Sequence, residues 1–433
     1  MSAAGPASLD VRLGWARAQD AADALAPLRA RFALPRAADG QPLLYFCGHS
    51  LGLAPLGARA AVEAEINAWE RLGVLGHEHP SSAWIGYAEQ LRQPLAQLAG
   101  AQPHEVIAMN SLTVNLHLLL ASFYRPSGRR RAILLEAGAF SSDRHALASH
   151  IRWHGFDPEH ELIEVAPRPG EDLIRIEDLE AHMAAHAARV ALVLWPGVQY
   201  RTGQLFDLAR ITRAAHAVQA CAGFDLAHAI GNVPLALHAD GADFAVWCSY
   251  KYLNAGPGAI GGAFVHERHL QRDDLPRLTG WWGHDPGTRF ELSAQFVAAA
   301  GAAAWAISNP PILSAAPVRV ALALFAEAGI TALRRKSLAL TGYMASLLAE
   351  LAAPRVAIVT PPDPAQRGCQ LSLRLASGAG PGLGLFQALS ARGVVCDWRE
   401  PDIIRLAPVP LYNRYEDVLR GVWALCDLLP PTR

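Results

Sequence analysis

Short apolar runs alternate with longer segments of helical periodicity between about residues 100 and 270. Segments with helical spacing, such as Asn115 to Tyr124 and Asp207 to Gln219, predict helices. Runs rich in Val, Ile and Leu predict buried strands at Ala132 to Glu136, Leu162 to Val165, Val190 to Leu194, Cys221 to Asp225, Phe244 to Ser249 and Gly262 to His266. This alternation is typical of a mainly parallel sheet covered by helices, so the pattern predicts an α/β fold.

A different pattern begins after Ser308-Asn-Pro-Pro311. One long helical stretch runs through Arg335 and Leu348, and prolines between Pro354 and Pro364 then break the chain. The runs that follow predict strands of a smaller α+β domain at Gln370 to Leu375, Gly393 to Cys396 and Ile403 to Leu406. We therefore expect an N-terminal segment over residues 1–50, a large domain over 51–310 and a small C-terminal domain over 311–433.

Composition favours an enzyme acting on a small molecule. The 433 residues are 52% hydrophobic and 18% charged, as in compact globular proteins. The formal net charge is −1 and the arginines are scattered, so nucleic-acid binding is not predicted. The six cysteines form no Cys-x-x-Cys pair, which predicts reduced thiols and a cytoplasmic location. No export signal is evident, and the apolar runs are too short to cross a bilayer, so no membrane association is expected.

Two motifs resemble cofactor or metal sites without completing them. Gly256-Pro-Gly-Ala-Ile-Gly261 matches G-x-G-x-x-G, but it leads into a predicted strand rather than a helix, which favours a glycine-rich turn over a dinucleotide site. His266-Glu-Arg-His269 and the pair His182 and His186 lack the remaining features of a zinc motif. We predict solvated or capping histidines and no metal.

Two charged residues follow predicted strands that we expect to be neighbours. Asp225 lies in Gly223-Phe-Asp-Leu-Ala-His-Ala-Ile-Gly231, and Lys251 lies in Trp247-Cys-Ser-Tyr-Lys-Tyr-Leu-Asn254. Strand ends of open α/β sheets form ligand sites. Pyridoxal 5'-phosphate (PLP) chemistry needs a lysine that binds the cofactor and an acid that keeps the pyridine nitrogen protonated. By spacing alone, a surface lysine and a helix-capping aspartate are equally compatible with these residues.

A turn bearing hydroxyl groups precedes the predicted helix near residue 115. Met109-Asn-Ser-Leu-Thr113 could offer backbone N–H groups and a helix N-terminus to a phosphate. The same turn could equally serve only as a helix cap.

Eight ordered blocks between about residues 40 and 415 resemble the kynureninase family. They are Tyr45-Phe-Cys-Gly-His-Ser-Leu-Gly-Leu53, Asn110-Ser-Leu-Thr-Val-Asn-Leu-His-Leu118, Ala139-Phe-Ser-Ser-Asp143, Gly223-Phe-Asp-Leu-Ala-His-Ala229, Cys248-Ser-Tyr-Lys-Tyr-Leu-Asn254, Gly280-Trp-Trp-Gly-His284, Ile307-Ser-Asn-Pro-Pro311 and Arg405-Leu-Ala-Pro-Val-Pro-Leu-Tyr-Asn413. The resemblance implies a fold type I PLP-dependent transferase of the aspartate aminotransferase fold family, class V. Such a protein has a mainly parallel seven-stranded sheet in its large domain.

The resemblance also implies an activity and a set of roles. We expect a homodimeric hydrolase that cleaves L-kynurenine in tryptophan catabolism and NAD biosynthesis, with Lys251, Tyr250 and Asp225 catalytic. Trp281 and Asn309 would reach the cofactor from the partner subunit. The implied PLP contacts of this chain are Leu112, Thr113, Phe140, Ser141, Ser142, Asp143, Asp225, His228, Tyr250 and Lys251.

Arg405 resembles the family's carboxylate-binding arginine, and a guanidinium suits a carboxylate; a surface ion pair is the alternative. Ser50, His77 and Asn309 resemble residues that line the aromatic pocket of the substrate. Two departures concern Ser141-Ser142, where relatives often have Pro followed by Ser or Thr, and Pro196, where some have a PLP-contacting Ser.

Four questions of activity stay open. One alternative function is another class V enzyme, such as a cysteine desulfurase or a transaminase. Another is a PLP-binding or regulatory protein without catalysis. The sequence does not decide between kynurenine and 3-hydroxykynurenine as the preferred substrate, or between a degradative and a biosynthetic role.

Overall fold

The computed structural model describes residues 9–81, 83–376 and 382–430. Its strands form a seven-stranded sheet, a four-stranded sheet and a two-stranded sheet. The strands are β1 (Leu44–Tyr45), β2 (Val106–Ala108), β3 (Ala132–Glu136), β4 (Leu162–Val165), β5 (Val190–Pro196), β6 (Cys221–Asp225), β7 (Phe244–Trp247), β8 (Gly262–Val265), β9 (Val356–Ile358), β10 (Leu371–Leu375), β11 (Val394–Val395), β12 (Asp397–Arg399) and β13 (Ile403–Leu406).

The seven-stranded sheet has the order β2-β8-β7-β6-β5-β3-β4. Strands β4, β3, β5, β6 and β7 run parallel, whereas β8 is antiparallel to both of its neighbours. Both faces are buried, because Leu134 packs into one hydrophobic core while Ile133 and Leu135 pack into another. This explains why the strands are continuously apolar instead of alternating with polar residues. The predicted fold class, with a mainly parallel seven-stranded sheet, is confirmed.

Helices cover both faces of this sheet and pack around the smaller sheets. They are α1 (Leu9–Ala22), α2 (Gly57–Leu72), α3 (Tyr87–Ala99), α4 (Leu112–Phe123), α5 (Ser141–Trp153), α6 (Pro158–Glu161), α7 (Ile176–Ala185), α8 (Leu208–Ala217), α9 (Leu237–Asp240), α10 (Ile312–Ala328), α11 (Ile330–Leu351), α12 (Gly382–Ala391) and α13 (Tyr415–Leu428). Leu116 and Leu147, from α4 and α5, share one core, and Ile211 of α8 and Leu179 of α7 share the other.

The four-stranded sheet, of order β12-β13-β10-β9, is antiparallel and has a hydrophobic core of its own with α11, α12 and α13. The pair β1 and β11 joins residues near 45 to this part of the chain. The domain boundary near residue 310 stays a prediction. Val318 and Phe325 of α10, and Leu333 of α11, pack into the larger core.

The single long helix predicted after Pro311 is wrong. The chain forms α10 and α11, which meet at 79°. Gly329 between them has a φ of 73°, in the left-handed region that glycine adopts without strain, so the backbone turns there. Among the described residues no single helix is both long and apolar enough to span a membrane, although this bent pair passes the test of length and composition jointly.

The segment Gly256–Gly261 forms the predicted glycine-rich turn. It contains no helix and leads directly into β8, with φ values of 86° at Gly256 and 74° at Gly258. A dinucleotide fingerprint would instead open a helix at this point.

Candidate active site

The carboxyl ends of two adjacent parallel strands bring Asp225 and Lys251 into one cavity. Asp225 is the last residue of β6, and Lys251 lies in the loop that follows β7. The cavity also receives residues from the ends of β3 and β5 and the starts of α4 and α5. Its lining comprises Leu112, Thr113, Glu136, Phe140, Ser142, Asp143, Pro196, Val198, Tyr200, Asp225, Ala227, His228, Tyr250 and Lys251.

Two helix N-termini converge at one end of this cavity. Thr113 lies in the first turn of α4 and Ser142 in the first turn of α5, and their hydroxyl oxygens are 2.7 Å apart. Ser111, which precedes α4, makes no side-chain cap bond, so the capping role considered from the sequence is not seen. Free backbone N–H groups, two helix dipoles and two hydroxyl groups together favour an anion such as a phosphate.

Three buried carboxyl groups, those of Glu136, Asp143 and Asp225, also line the cavity. Asp225 accepts a hydrogen bond from the backbone N–H of Ala227 at 2.6 Å, which fixes its carboxylate at the strand end. Burial raises the pKa of Asp143 well above its usual value, and the carboxylates of Asp225 and Glu136 raise it further. Burial also raises the pKa of Glu136 to about 8, against a hydrogen bond from Gln199. A cationic ring nitrogen beside these groups would favour their ionised forms.

Aromatic rings flank the lysine. The Lys251 Nζ lies 5.7 Å from the centre of the Phe140 ring and 6.0 Å from that of Tyr250. Tyr200 meets the Phe140 ring edge-on at 5.5 Å. Burial raises the pKa of Tyr250, with smaller contributions from Cys248 and Asp225, so its hydroxyl remains a proton donor at neutral pH.

The chain contains only two lysines, Lys251 and Lys336. Lys336 lies in α11 and does not line the cavity. Its Nζ forms a buried ion pair with the Asp23 carboxylate at 2.7 Å. Lys251 is therefore the lysine available to an aldehyde in the cavity.

These groups fit PLP. The hydroxyl-bearing helix starts would hold its phosphate, the Asp225 carboxylate would hold the pyridine nitrogen, and Lys251 would bind its aldehyde. Phe140 is 43% exposed and lies at the cavity wall, where it could cover a bound ring. His228 is buried on the same wall, and its Nδ1 has no hydrogen-bond partner among the described residues.

The structure brings together nine of the ten PLP contacts predicted within this chain; Ser141 begins α5 beside the cavity but does not line it. Five other predicted site residues, Ser50, His77, Trp281, Asn309 and Arg405, do not line it. Ser50 lies in the loop whose Gly52 donates a backbone N–H to the Tyr250 carbonyl at 2.8 Å. His77 is exposed, with its Nδ1 3.0 Å from the Val74 carbonyl oxygen.

Trp281 and Asn309, the residues expected to act on a partner's site, do not line the cavity of their own chain. Trp281 is 47% exposed and packs edge-on against Trp282. Asn309 is exposed and accepts a hydrogen bond from the Ser308 hydroxyl at 3.2 Å.

Arg405 is buried and 1% exposed, so the surface ion pair considered from the sequence is wrong. Its guanidinium binds both carboxylate oxygens of Asp397, the Nε–Oδ1 distance being 2.6 Å, and its Nη1 donates to the Tyr200 carbonyl at 2.5 Å. Arg405 is thus held directly behind a residue of the cavity wall. Its contact with a substrate stays a prediction.

Sequence reasoning missed the polar residues Glu136 and Tyr200 of the cavity, besides the apolar Val198 and Ala227. Glu136 is the only charged residue of β3 and ends it, the same signal that identified Asp225 at the end of β6. Tyr200 follows β5 after a few loop residues and carries no comparable signal. Pro196, one of the two departures noted in the sequence, does line the cavity.

Two family models match the chain. The model described as aminotransferase class-V matches residues 60–378, and the model described as kynureninase C-terminal domain matches residues 333–425. A kynureninase of Xanthomonas campestris pv. campestris (strain B100) is 56% identical over 403 residues, which cover 93% of this chain and 95% of the relative. A kynureninase of Xanthomonas axonopodis pv. citri (strain 306) is 54% identical over the same shares.

Solved structures with the same fold are more distant in sequence. The cystine C-S lyase C-DES, in complex with cysteine persulfide, has a TM-score of 0.76 at 19% identity, covering 90% of this chain and 98% of its own. The cysteine desulfurase CsdA from Escherichia coli has a TM-score of 0.74 at 17% identity, covering 94% and 99%. At these identities the likeness establishes the fold alone.

Proposed function

The chain belongs to the kynureninase family, and from that premise we propose that it hydrolyses L-kynurenine to anthranilate and L-alanine with PLP as its cofactor. The observation that carries the proposal is the convergence of Lys251, Asp225 and the hydroxyls of Thr113 and Ser142 on one cavity. The family enzymes are hydrolases of carbon-carbon bonds in ketonic substances, so the reaction type follows from membership.

Bound PLP supplies an electron-accepting ring next to the substrate's alpha carbon. The Asp225 carboxylate would keep the ring nitrogen protonated. The Lys251 amine would take the alpha proton of the bound substrate as general base. Water added to the aryl ketone would supply the second carboxyl oxygen of anthranilate, so that the bond to the beta carbon can break. Tyr250, whose pKa burial raises, would stay protonated and deliver a proton to that beta carbon as it becomes the methyl group of alanine. Burial lowers the pKa of His228 well below its usual range, so this ring stays neutral beside Lys251.

Anthranilate release provides the direct test. The purified protein should liberate fluorescent anthranilate and one equivalent of alanine from L-kynurenine, and Lys251→Ala should abolish the reaction. Borohydride reduction followed by peptide mapping should place the cofactor on Lys251. Lys336 is a built-in control, since it is the other lysine of the chain. Cofactor found on Lys336, or unchanged turnover by Lys251→Ala, would refute the assignment. A protein that binds PLP without turnover would instead support the non-catalytic alternative.

The substrate range and the pathway belong to the same proposal. We expect 3-hydroxy-L-kynurenine to be accepted as well, giving 3-hydroxyanthranilate, because one hydroxyl is discriminated by pocket shape rather than by charge. The chain would thus act in tryptophan catabolism, with NAD biosynthesis as one outlet. Comparing kcat/KM for the two substrates tests the range. We also propose a cytoplasmic location, supported by six free cysteines.

We propose a homodimer in which Trp281 and Asn309 complete the partner's site. Both residues lie outside their own chain's cavity, and exposed apolar side chains such as Phe290, 71% exposed, accompany them. Mixing inactive Lys251→Ala with inactive Asn309→Ala protein under conditions of subunit exchange should restore part of the activity. Mixtures that stay inactive, although heterodimers form, would contradict shared sites.

A cysteine desulfurase is the competing function, because the solved structures of similar fold include such enzymes. That chemistry needs a nucleophilic thiolate. Burial raises the pKa of Cys47, Cys221, Cys369 and Cys396 to about 12 and raises that of the other two cysteines as well. No cysteine is thus set up as a thiolate. Sulfide release from cysteine, measured beside anthranilate release from kynurenine, separates the two functions.

A further inference from the structure

The environment of Arg405 contains a buried carboxylate and a second guanidinium. Asp397 on β12 and Arg405 on β13 are direct cross-strand partners. The Asp397 Oδ2 lies 3.1 Å from Nη2 of Arg399, and its Oδ1 lies 3.3 Å from Nε2 of His49. We name Arg405, Asp397, Arg399 and His49 the arginine cluster.

We infer that Asp397 is a positioning residue that orients Arg405 toward the substrate's carboxylate, and that Arg399 supplies the positive charge which this pairing would otherwise cancel. The inference deepens the proposed function and rests on it.

Orientation follows from the donors of the guanidinium. Arginine carries five N–H donors in a planar fork. Asp397 takes the Nε side of the fork and the Tyr200 carbonyl takes one donor of Nη1. Among the described residues, these bonds leave one N–H on each terminal nitrogen of Arg405, the pair that suits a second carboxylate. Because the side chain is 1% exposed and already held, substrate binding would not have to order it.

The position of the cluster links it to the cavity. Tyr200, whose carbonyl Arg405 binds, lines the cavity itself. The loop of residues 47–52 connects the two regions. A β-bridge joins its Cys47 to Ala407, directly after β13, and its Gly52 donates a backbone hydrogen bond to Tyr250, next to Lys251. Burial and the charge of Lys251 are the largest causes that lower the pKa of His228, a residue of the cavity wall. The charges of Arg405 and Arg399 lower this pKa further, so both guanidinium groups lie close enough to the cavity to act on it.

The charges of the cluster leave one positive charge unmatched. Burial would raise the pKa of Asp397, but the hydrogen bonds from Arg405 and the nearby His49 ring outweigh it and hold this pKa below its usual range, so the carboxylate is ionised. Burial, with help from Arg405, lowers the pKa of His49 to about 4, so its ring is neutral at pH 7. Two guanidinium groups therefore face one carboxylate, and the remaining charge matches a substrate carboxylate.

If the Arg405–Asp397 pair had a purely structural role, its loss would affect ligand binding differently. The Arg405–Asp397 pair could merely brace the small sheet against the Tyr200 loop, in which case its loss would weaken the enzyme for any ligand. A role in carboxylate binding affects only ligands that carry the carboxylate. Kynuramine, which is kynurenine without its alpha-carboxyl group, therefore distinguishes the two as a competitive inhibitor.

The test uses the holoenzyme with Asp397→Asn, Arg399→Gln, Arg399→Lys and the control Arg392→Gln. Arg392 pairs with Asp427 at an exposed site, so its substitution should change nothing. Asp397→Asn adds net positive charge, which by itself would lower KM for kynurenine. The same substitution also removes the charge-assisted hydrogen bonds that hold the Arg405 guanidinium in place. We therefore expect KM for kynurenine to rise about 10- to 100-fold instead. The inhibition constant of kynuramine and the visible absorbance of bound PLP should stay unchanged.

Arg399→Gln should raise KM for kynurenine about 5-fold, as for a partly exposed charge, and Arg399→Lys should restore it because only the charge is needed. An unchanged or lower KM in Asp397→Asn would overturn the inference. So would an equal weakening of kynurenine and kynuramine, or Arg399→Gln behaving like Arg392→Gln. These results presuppose an unmutated enzyme that releases anthranilate; if it does not, the proposed function fails first and separately.

Discussion

Replacing Lys336 with methionine would make Lys251 the sole lysine of the chain and would break a buried ion pair. The Lys336 side chain is 8% exposed and that of Asp23 is 14% exposed, with 2.7 Å between Nζ and Oδ2. Burial lowers the pKa of Lys336, against the favourable effect of Asp23. The other oxygen of Asp23 accepts the backbone N–H of Leu25 at 2.9 Å. Methionine fills similar space but leaves this carboxylate buried without its cation.

The magnitude follows from the burial of both partners. Removing one member of a buried pair costs about 3–5 kcal/mol, because the remaining charge is desolvated without compensation. For 433 residues the entropy of unfolding is about 0.9 kcal/mol/K. The melting temperature should therefore fall by about 3–5 °C. Asp23→Asn in the same chain removes the stranded charge and keeps an oxygen for Leu25, so the double variant should recover most of the loss.

Calorimetry on the PLP-loaded protein measures these shifts, and anthranilate release measures catalysis beside them. We expect Lys336→Met to keep the unmutated kcat, since the ion pair does not touch the cavity. Borohydride should still fix PLP to the protein. A melting temperature equal to that of the unmutated protein, or a double variant no more stable than Lys336→Met, would show that the pair does not contribute as argued.

Three further predictions concern the cavity. Gly52→Ala should abolish PLP absorbance and turnover, because its Cβ would lie 2.3 Å from the Lys251 carbonyl oxygen, whereas Gly14→Ala, with nothing within 4 Å, should have no effect on either. Asp225→Asn should keep bound PLP but lower kcat about 10- to 100-fold through loss of a charged hydrogen bond; an unchanged kcat would contradict its role. Glu136 binds more protons folded than unfolded between its ordinary pKa of 4.5 and about 8, so it reduces stability as pH rises through that range. The melting temperature of Glu136→Gln relative to the unmutated protein should therefore increase from pH 5 to pH 9, and a constant difference would count against the raised pKa.

The sequence predicted the central strands best. The predicted limits of β3, β4, β6 and β13 match the structure. Strands β3, β6 and β13 are largely buried, so their runs contrast with the polar loops beside them, whereas β4 is a partly exposed edge strand. Strands β1, β2, β9 and β12 were missed, since two or three residues give too little periodicity to distinguish a strand from a loop. The break at Gly329 was missed because the apolar spacing continues across it, while the direction of the backbone changes.

Site residues could be predicted where a charged side chain lies at, or shortly after, the end of a predicted strand. Asp225 and Lys251 carry that signal, and their meeting follows from the parallel register of β6 and β7. Glu136 carries the same signal and was overlooked. Tyr200 could not have been found this way, because a loop fixes its position and its backbone carbonyl, rather than its side chain, binds Arg405.

Pairing register explains why the surroundings of Arg405 escaped sequence reasoning. Eight residues separate Asp397 from Arg405 along the chain, a spacing that suggests no contact in a helix or an extended strand. The antiparallel turn from β12 to β13 places them directly opposite each other, where oppositely charged side chains interact. An arginine chosen as a lone cation is therefore already paired, and we expect the charge of Arg399 to add to its affinity for a carboxylate. A family motif that contains Arg405 identifies the guanidinium that we expect to bind the substrate's carboxylate. Only the register of the small sheet identifies Asp397, which would orient this guanidinium, and Arg399, which would add positive charge beside it.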